Sequence, residues 1–240
     1  MSSRLSPLLL FTVALISHPA IGEDALQQSF DDQAPGEWPR AWRHAWGPMG
    51  DDLVVVTNLE SVSGRQSFLL DRASGTNKAQ WGVQTALPSF EAGWAFLAFA
   101  FRIEGKGANA HIGIELRNGS KRALALGFRF NTLSVRTYQP KPPAELRGGK
   151  LGRYKSGQWY RVRLWLPTRF QTGPKAWAGL ETLTAKGSVP MGKPIPVACT
   201  VAQGPSPLFM LNLTPNRRGF RFFLDDLLCH RVATLPFRER

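Results

Sequence analysis

Residues 110–138 read AHIGIELRNGSKRALALGFRFNTLSVRTY, and the order of apolar and polar residues in this stretch decides the fold. Ile112, Ile114 and Leu116 alternate with His111, Gly113, Glu115 and Arg117. A period of two sends successive side chains to opposite faces of a strand, so one set is expected in a core and the other on an outer surface. Asn118-Gly119 then supplies a hairpin signal, because glycine tolerates the positive backbone angles of a tight turn. Residues 123–130 and 133–138 continue with branched and aromatic runs, so the stretch predicts three successive strands.

The same character extends on both sides. Residues 54–57, 67–70, 94–103, 159–166, 197–201, 208–213 and 220–232 are strand-like runs, separated by clusters of Gly, Pro, Asn and Ser. Helical spacing with caps is lacking after residue 22, which favours an all-β fold, a two-sheet antiparallel β-sandwich. Residues 23–240 have a length suited to one such domain, and they show no internal repeat. Residues 139–157 stand apart in composition, with Pro140, Pro142, Pro143 and Gly148, Gly149, Gly152, Gly157 set among Lys and Arg. They are expected to form a long basic surface loop.

Arg4, the apolar run LLLFTVALI at residues 8–16 and the small-residue site Ala20-Ile21-Gly22 make residues 1–22 a signal peptide in this reading. The run is too short to span a bilayer, so the mature chain is expected to be secreted or periplasmic and soluble, with no membrane span. Cys199 and Cys229 lie in strand-like runs, and an oxidising compartment would favour a disulfide between them, against two buried thiols as the alternative. Such a bridge would stabilise by about 3–4 kcal/mol through the loop it closes.

Thirty Lys and Arg against seventeen Asp and Glu leave a net charge of +13. A charge of that size attracts extended anions at long range. Nucleic acid is not the expected partner, because the sequence carries no nucleic-acid-binding motif and the chain is read as exported. A zinc site is not expected either, since His18, His44, His111 and His230 show no paired spacing with the cysteines.

Two acidic pairs bracket the chain: Phe30-Asp31-Asp32, followed by Pro35-Gly36-Glu37-Trp38, and Phe222-Phe223-Leu224-Asp225-Asp226-Leu227-Leu228. With the Gly157-Gln158-Trp159-Tyr160-Arg161-Val162 run, this bracket resembles secreted concanavalin A-like and laminin-G-like β-sandwiches and the calcium-stapled carbohydrate-binding jelly rolls. The resemblance implies a jelly roll whose first and last strands lie side by side. It also implies a structural Ca2+ held by Asp31 and Asp225, with Asp32 and Asp226 as alternates if the register shifts by one. Calcium takes oxygens in irregular geometry, which acidic residues on adjacent strands can supply.

Alternation also nominates a binding face. On residues 159–166, Tyr160, Val162, Leu164 and Leu166 are expected inward, and Trp159, Arg161, Arg163 and Trp165 outward. If this strand shares a sheet with those around 110–138, then Arg117, Arg136, Tyr138, Arg161, Arg163 and Trp165 form one basic, aromatic surface. Aromatic rings stack on sugar rings, and guanidinium forks bind carboxylate or sulfate, so the expected ligand is an anionic polysaccharide. Trp38, Trp42 and Trp46 are expected to pack as an irregular segment over the sandwich, outside that site.

Catalysis is the second reading. The Glu-x-Asp-x-x-Glu strand of laminarinase-type hydrolases is lacking. Glu115-Leu116-Arg117 resembles the end of the R-x-E-L-R strand of jelly-roll polysaccharide lyases, with Gly113 where their leading Arg would stand. The resemblance implies His111 and Tyr138 as proton-transfer groups and Arg117 as the group that neutralises a uronate carboxylate. A purely structural envelope protein is the third.

Overall fold

The computed structural model describes residues 25–50, 52–72, 80–105, 112–138, 141, 144–168, 175–199, 206–213 and 219–237. The proposed signal peptide, His111 and residues 139–140 and 142–143 of the proline-rich stretch lie outside the described residues. In chain order the described strands are β1 (Leu26–Gln28), β2 (Trp42–Trp46), β3 (Leu53–Thr57), β4 (Ser67–Asp71), β5 (Trp81–Ala86), β6 (Trp94–Gly105), β7 (Ile112–Asn118) and β8 (Lys121–Arg129). They continue as β9 (Thr132–Thr137), β10 (Gly148–Arg153), β11 (Tyr160–Pro167), β12 (Lys175–Thr184), β13 (Gly187–Pro190), β14 (Ile195–Ala198), β15 (Pro207–Leu213) and β16 (Phe220–Val232).

They form two antiparallel sheets. One runs β13-β12-β11-β6-β16-β4-β3, with β1 beside β16 and β14 beside β12; the other runs β10-β9-β8-β7-β15-β5-β2. The predicted meander is present as β7, β8 and β9. Its first turn is Gly119-Ser120, one residue later than the sequence signal, with Gly119 at φ 57° and Asn118 paired to Lys121. The first strand lies beside the last, Leu26–Gln28 pairing with Leu227–Cys229, just before the Phe30 segment.

Apolar side chains from the inner faces fill the space between the sheets. Ile112, Ile114 and Leu116 meet Val162, Leu164 and the aromatic residues of β6, β15 and β16. Phe101 is central: its ring lies 4.8 Å from Phe128, 5.5 Å from Tyr160 and 6.0 Å from Tyr154. Each such fully buried ring contributes about 1.5–3 kcal/mol relative to exposure.

Three expectations need correction. Residues 139–157 are not loop throughout, because Ala144–Leu146 is a short 3-10 helix, Gly148–Arg153 is edge strand β10, and the Tyr154 ring is anchored in the core. Glycines and a lysine hid that strand, since it has little apolar alternation to read. Trp42–Trp46 is likewise a strand, paired with β5, rather than an irregular cover. Cys199 and Cys229 are buried thiols in the core rather than a disulfide, and burial pushes the Cys229 thiol up to about 12.

Candidate functional site

The strands expected to share one basic face belong to different sheets. Arg117 on β7, Arg136 on β9 and Tyr138 just beyond it belong to the seven-stranded sheet, whereas Arg161, Arg163 and Trp165 lie on β11 of the nine-stranded sheet. Inner faces of the sheets meet in the core, so the two groups point away from each other. Periodicity fixes which side chains point outward, not which strands are neighbours.

On the nine-stranded sheet the outward charges neutralise one another. Arg161 pairs with Asp226 at 3.0 Å, Arg163 with Glu181 at 2.9 Å, Arg221 with Asp71 at 2.9 Å, and Arg102 with both Glu60 and Glu104. Trp165 is only 5% exposed, its ring 5.4 Å from Phe96 and 5.1 Å from Phe237 of the C-terminal segment. It is packing, not a stacking platform.

The seven-stranded sheet differs. Glu115 is the one acidic residue in its described strands, against outward Arg43, Arg117, Arg122, Arg129, Arg136, Lys150 and Arg153. Its register also lines up small residues across the strands. Gly82 on β5 pairs with Asn212 on β15, Asn212 with Gly113 on β7, Gly113 with Gly127 on β8, Gly127 with Ser134 on β9, and Ser134 with Lys150 on β10. All point away from the core. The row is therefore the floor of a trench perpendicular to the strands, where a ligand can approach the backbone closely.

With neighbouring strands about 4.8 Å apart, the floor from Asn212 to Lys150 is about 19 Å long. The adjoining row, Gln84, Met210, Glu115, Ala125 and Arg136, forms one wall, and Gln80 and Arg129 stand on the other side. The cleft between them encloses about 390 Å³, within the range of ligand sites. An added Cβ at Gly113 would touch only the Asn212 Cβ at 3.9 Å, so the space above it is open.

Glu115 organises the charged wall. Its carboxylate lies 3.2 Å from Arg122 Nε and 3.9 Å from Arg117, and the Tyr138 hydroxyl donates to it at 3.4 Å. The Arg122 guanidinium also sits over the Tyr138 ring, 5.3 Å from its centre. Burial, then the Glu115 charge, raise the Tyr138 pKa, so the residue is held as a neutral phenol. Arg136, by contrast, has no ion-pair partner among the described residues. Arg117, Arg136 and Tyr138 thus reach one face as expected; Gly113, Gly127, Ser134, Asn212, Arg129 and Lys150 were missed. Outward glycines inside otherwise good strands were the available signal.

Asp31 and Asp225 converge on one loop. Asp225 Oδ2 accepts the N–H of Val62 at 2.8 Å and of Ser63 at 3.3 Å, and its Oδ1 accepts that of Asp226. Asp31 Oδ1 accepts the N–H of Arg65 at 2.7 Å and of Gln66 at 2.9 Å, while a Cβ on Gly64 would fall 1.7 Å from its Oδ2. Burial pushes the Asp225 carboxyl up to about 7, against the pull of those N–H groups. The alternates are otherwise engaged, Asp32 with Arg40 at 3.1 Å and Asp226 with Arg161 and the Ser63 hydroxyl. Among the described residues no cluster of three or more His, Cys, Asp or Glu could hold a metal ion.

No family model matches this chain, and no curated protein matches it in sequence. Solved structures do match. An endo-β-1,4-glucuronan lyase from the fungus Trichoderma reesei superposes with a TM-score of 0.54 at 12% identity, over 81% of this chain and 93% of that one. An alginate lyase from Aplysia kurodai gives 0.50 at 10% identity, over 80% and 91%. The lectin UEA-II, complexed with galactose, gives 0.50 at 9% identity, over 85% and 98%. The fold is a two-sheet jelly-roll β-sandwich. At these identities the likeness establishes architecture and nothing finer. Among the described residues, no helix is long and apolar enough to cross a membrane.

Proposed function

We propose that the trench binds an anionic polysaccharide, carrying carboxylates or sulfates, and that the protein acts as a carbohydrate-binding module outside the cytoplasm. The carrying observation is the transverse row Asn212–Gly113–Gly127–Ser134–Lys150, an extended groove on a sheet that holds one carboxylate amid many cations. Arg136 and Arg129 can fork onto a carboxylate or sulfate, while Asn212 and Ser134 can bond sugar hydroxyls from the floor. Structures of similar fold include one named as a glucuronan lyase, one named as an alginate lyase and a lectin complexed with galactose, which supports a glycan as the ligand class.

Binding is preferred to elimination because Gly113 stands where the leading Arg of the lyase R-x-E-L-R strand would help neutralise a uronate carboxylate. Burial and Glu115 also disfavour the Tyr138 phenolate, the form that a tyrosine base would need. The test is calorimetric titration with uronate oligosaccharides, a sulfated glycan and a neutral glucan, with ultraviolet absorbance followed for unsaturated product. Charged glycans should bind, salt should weaken them, and no product should appear. Removing the Arg136 fork with Arg136→Ala should weaken binding about tenfold or more. Equal binding of neutral glucan, or unsaturated sugar released by the parent protein, would overturn this reading.

Calcium belongs to the same proposal at the Asp31–Asp225 clasp. Both acids bond backbone N–H groups of one loop, Asp225 at Val62 and Ser63 and Asp31 at Arg65 and Gln66, so an ion would share oxygens that already accept hydrogen bonds. Titrating CaCl2 into chelated protein separates the cases by mass action. A rise in melting temperature that Asp225→Ala abolishes assigns the ion to the clasp; an unchanged melting temperature makes the clasp a hydrogen-bond lock alone.

A further inference from the structure

Trp46 lies across the trench at its β5 end. Its indole Nε1 donates to Asn212 Oδ1 at 3.1 Å, and the bond passes over Gly82. A Cβ built on Gly82 would fall 2.7 Å from that nitrogen and 2.6 Å from that oxygen, so only glycine leaves the indole room. Two further features of the backbone serve this placement. Arg43 pairs with outward Gln84, so regular alternation would turn Trp46 inward; a bulge between His44 and Trp46 turns it outward over Gly82 instead. Gly47 follows at φ +76°, where a Cβ would fall 2.2 Å from the Gln80 carbonyl oxygen, and this close approach fixes the end of β2 against β5.

The trench is consequently asymmetric. Among the described residues its floor is open from Asn212 across β7, β8 and β9 and runs out over the β10 edge at Lys150, but over Gly82 it is filled by the indole. Building on the glycan reading above, we infer that the trench takes the end of a polysaccharide chain rather than an internal stretch. An internal stretch must leave at both ends, and threading it past β5 would break the Trp46–Asn212 bond and displace the ring. A terminal sugar need only abut the indole, with the rest of the chain leaving past Lys150. The indole also offers a flat surface of the kind sugar rings stack against.

The experiment measures loading. Two uronate polymer fractions, differing about tenfold in chain length, are titrated against the full-length protein, and the protein bound per chain is read by sedimentation. The parent should load a fixed number of molecules per chain at both lengths. Trp46→Ala opens the blocked end, and its loading per chain should rise with length. Should Trp46→Ala fail to fold, Asn212→Ala releases the indole without deleting it and should show the same rise. Parent loading that grows with chain length, or folded variants of both kinds that keep the parent's fixed loading, would overturn the inference and leave the glycan reading standing. Failure of short and long polymers alike to bind would overturn the glycan reading itself, and this inference with it.

Discussion

Asp52 shows how much one buried carboxylate holds together. It lies 3.2 Å from the guanidinium of Arg72, which is fully buried, and accepts a bond from the Trp81 indole at 2.6 Å. Removing one member of a buried pair strands the other's charge in a medium that solvates it poorly. Asp52→Ala should therefore destabilise by about 3–5 kcal/mol, read as a lowered denaturation midpoint. A loss below about 1 kcal/mol would mean that water reaches Arg72. His230 makes a pH-dependent contribution of the opposite kind. Its ring packs 5.1 Å from Phe96, its Nδ1 is buried without a hydrogen-bond partner among the described residues, and burial lowers its pKa below the usual 6.5. The unfolded chain then takes up a proton at higher pH than the folded one. Stability from this group is full above about 6.5 and is lost as pH falls toward the lowered folded value. Urea midpoints at pH 7.5 and 5 should differ more for the parent than for His230→Phe, and equal differences would refute the assignment.

Within the strands, glycine carries the functional information that apolar alternation hides. The period of two in β7 and β11 named core residues correctly, because burial of Ile112, Ile114, Leu116, Val162 and Leu164 is a local property of each strand. It could not say that β11 joins the other sheet, because strand neighbours are fixed by long-range register, and this divided the expected site between two faces. Nor could it find β10, whose Gly148, Gly149 and Gly152 present almost nothing to bury, or the role of Trp46, which depends on a bulge. Gly113 tests the trench directly. Its added Cβ has space, so Gly113→Leu should fold as well as the parent, and loss of a strand glycine should hold or raise the melting temperature. The leucine side chain would fill the trench, and affinity for a uronate oligosaccharide should fall at least tenfold. Retained affinity in a folded Gly113→Leu protein would place the ligand elsewhere.

Across the whole molecule, the net charge of +13 is distributed unequally in its effect. Arginines on the nine-stranded face sit against carboxylates at 2.6–3.0 Å, so their field falls off quickly with distance. Within the described strands of the seven-stranded sheet Glu115 is the one carboxylate among its arginines, so more of the unbalanced field lies over the trench. Long-range attraction of a polyanion should therefore come from one side, and exposed charges of this kind are screened within about 8 Å at physiological ionic strength. Two double variants separate attraction from architecture. Arg136→Ala with Lys150→Ala removes trench cations, and should lower both the affinity for a uronate polymer and the steepness with which salt weakens it, leaving the melting temperature near the parent's. Arg161→Ala with Arg163→Ala removes the cation partners of Asp226 and the buried Glu181, and should lower the melting temperature while affinity and its salt dependence stay unchanged. Titrations at two salt concentrations, paired with melting curves, read both quantities. If the second pair weakens binding as much as the first, the attraction belongs to the molecule's overall charge and not to the trench.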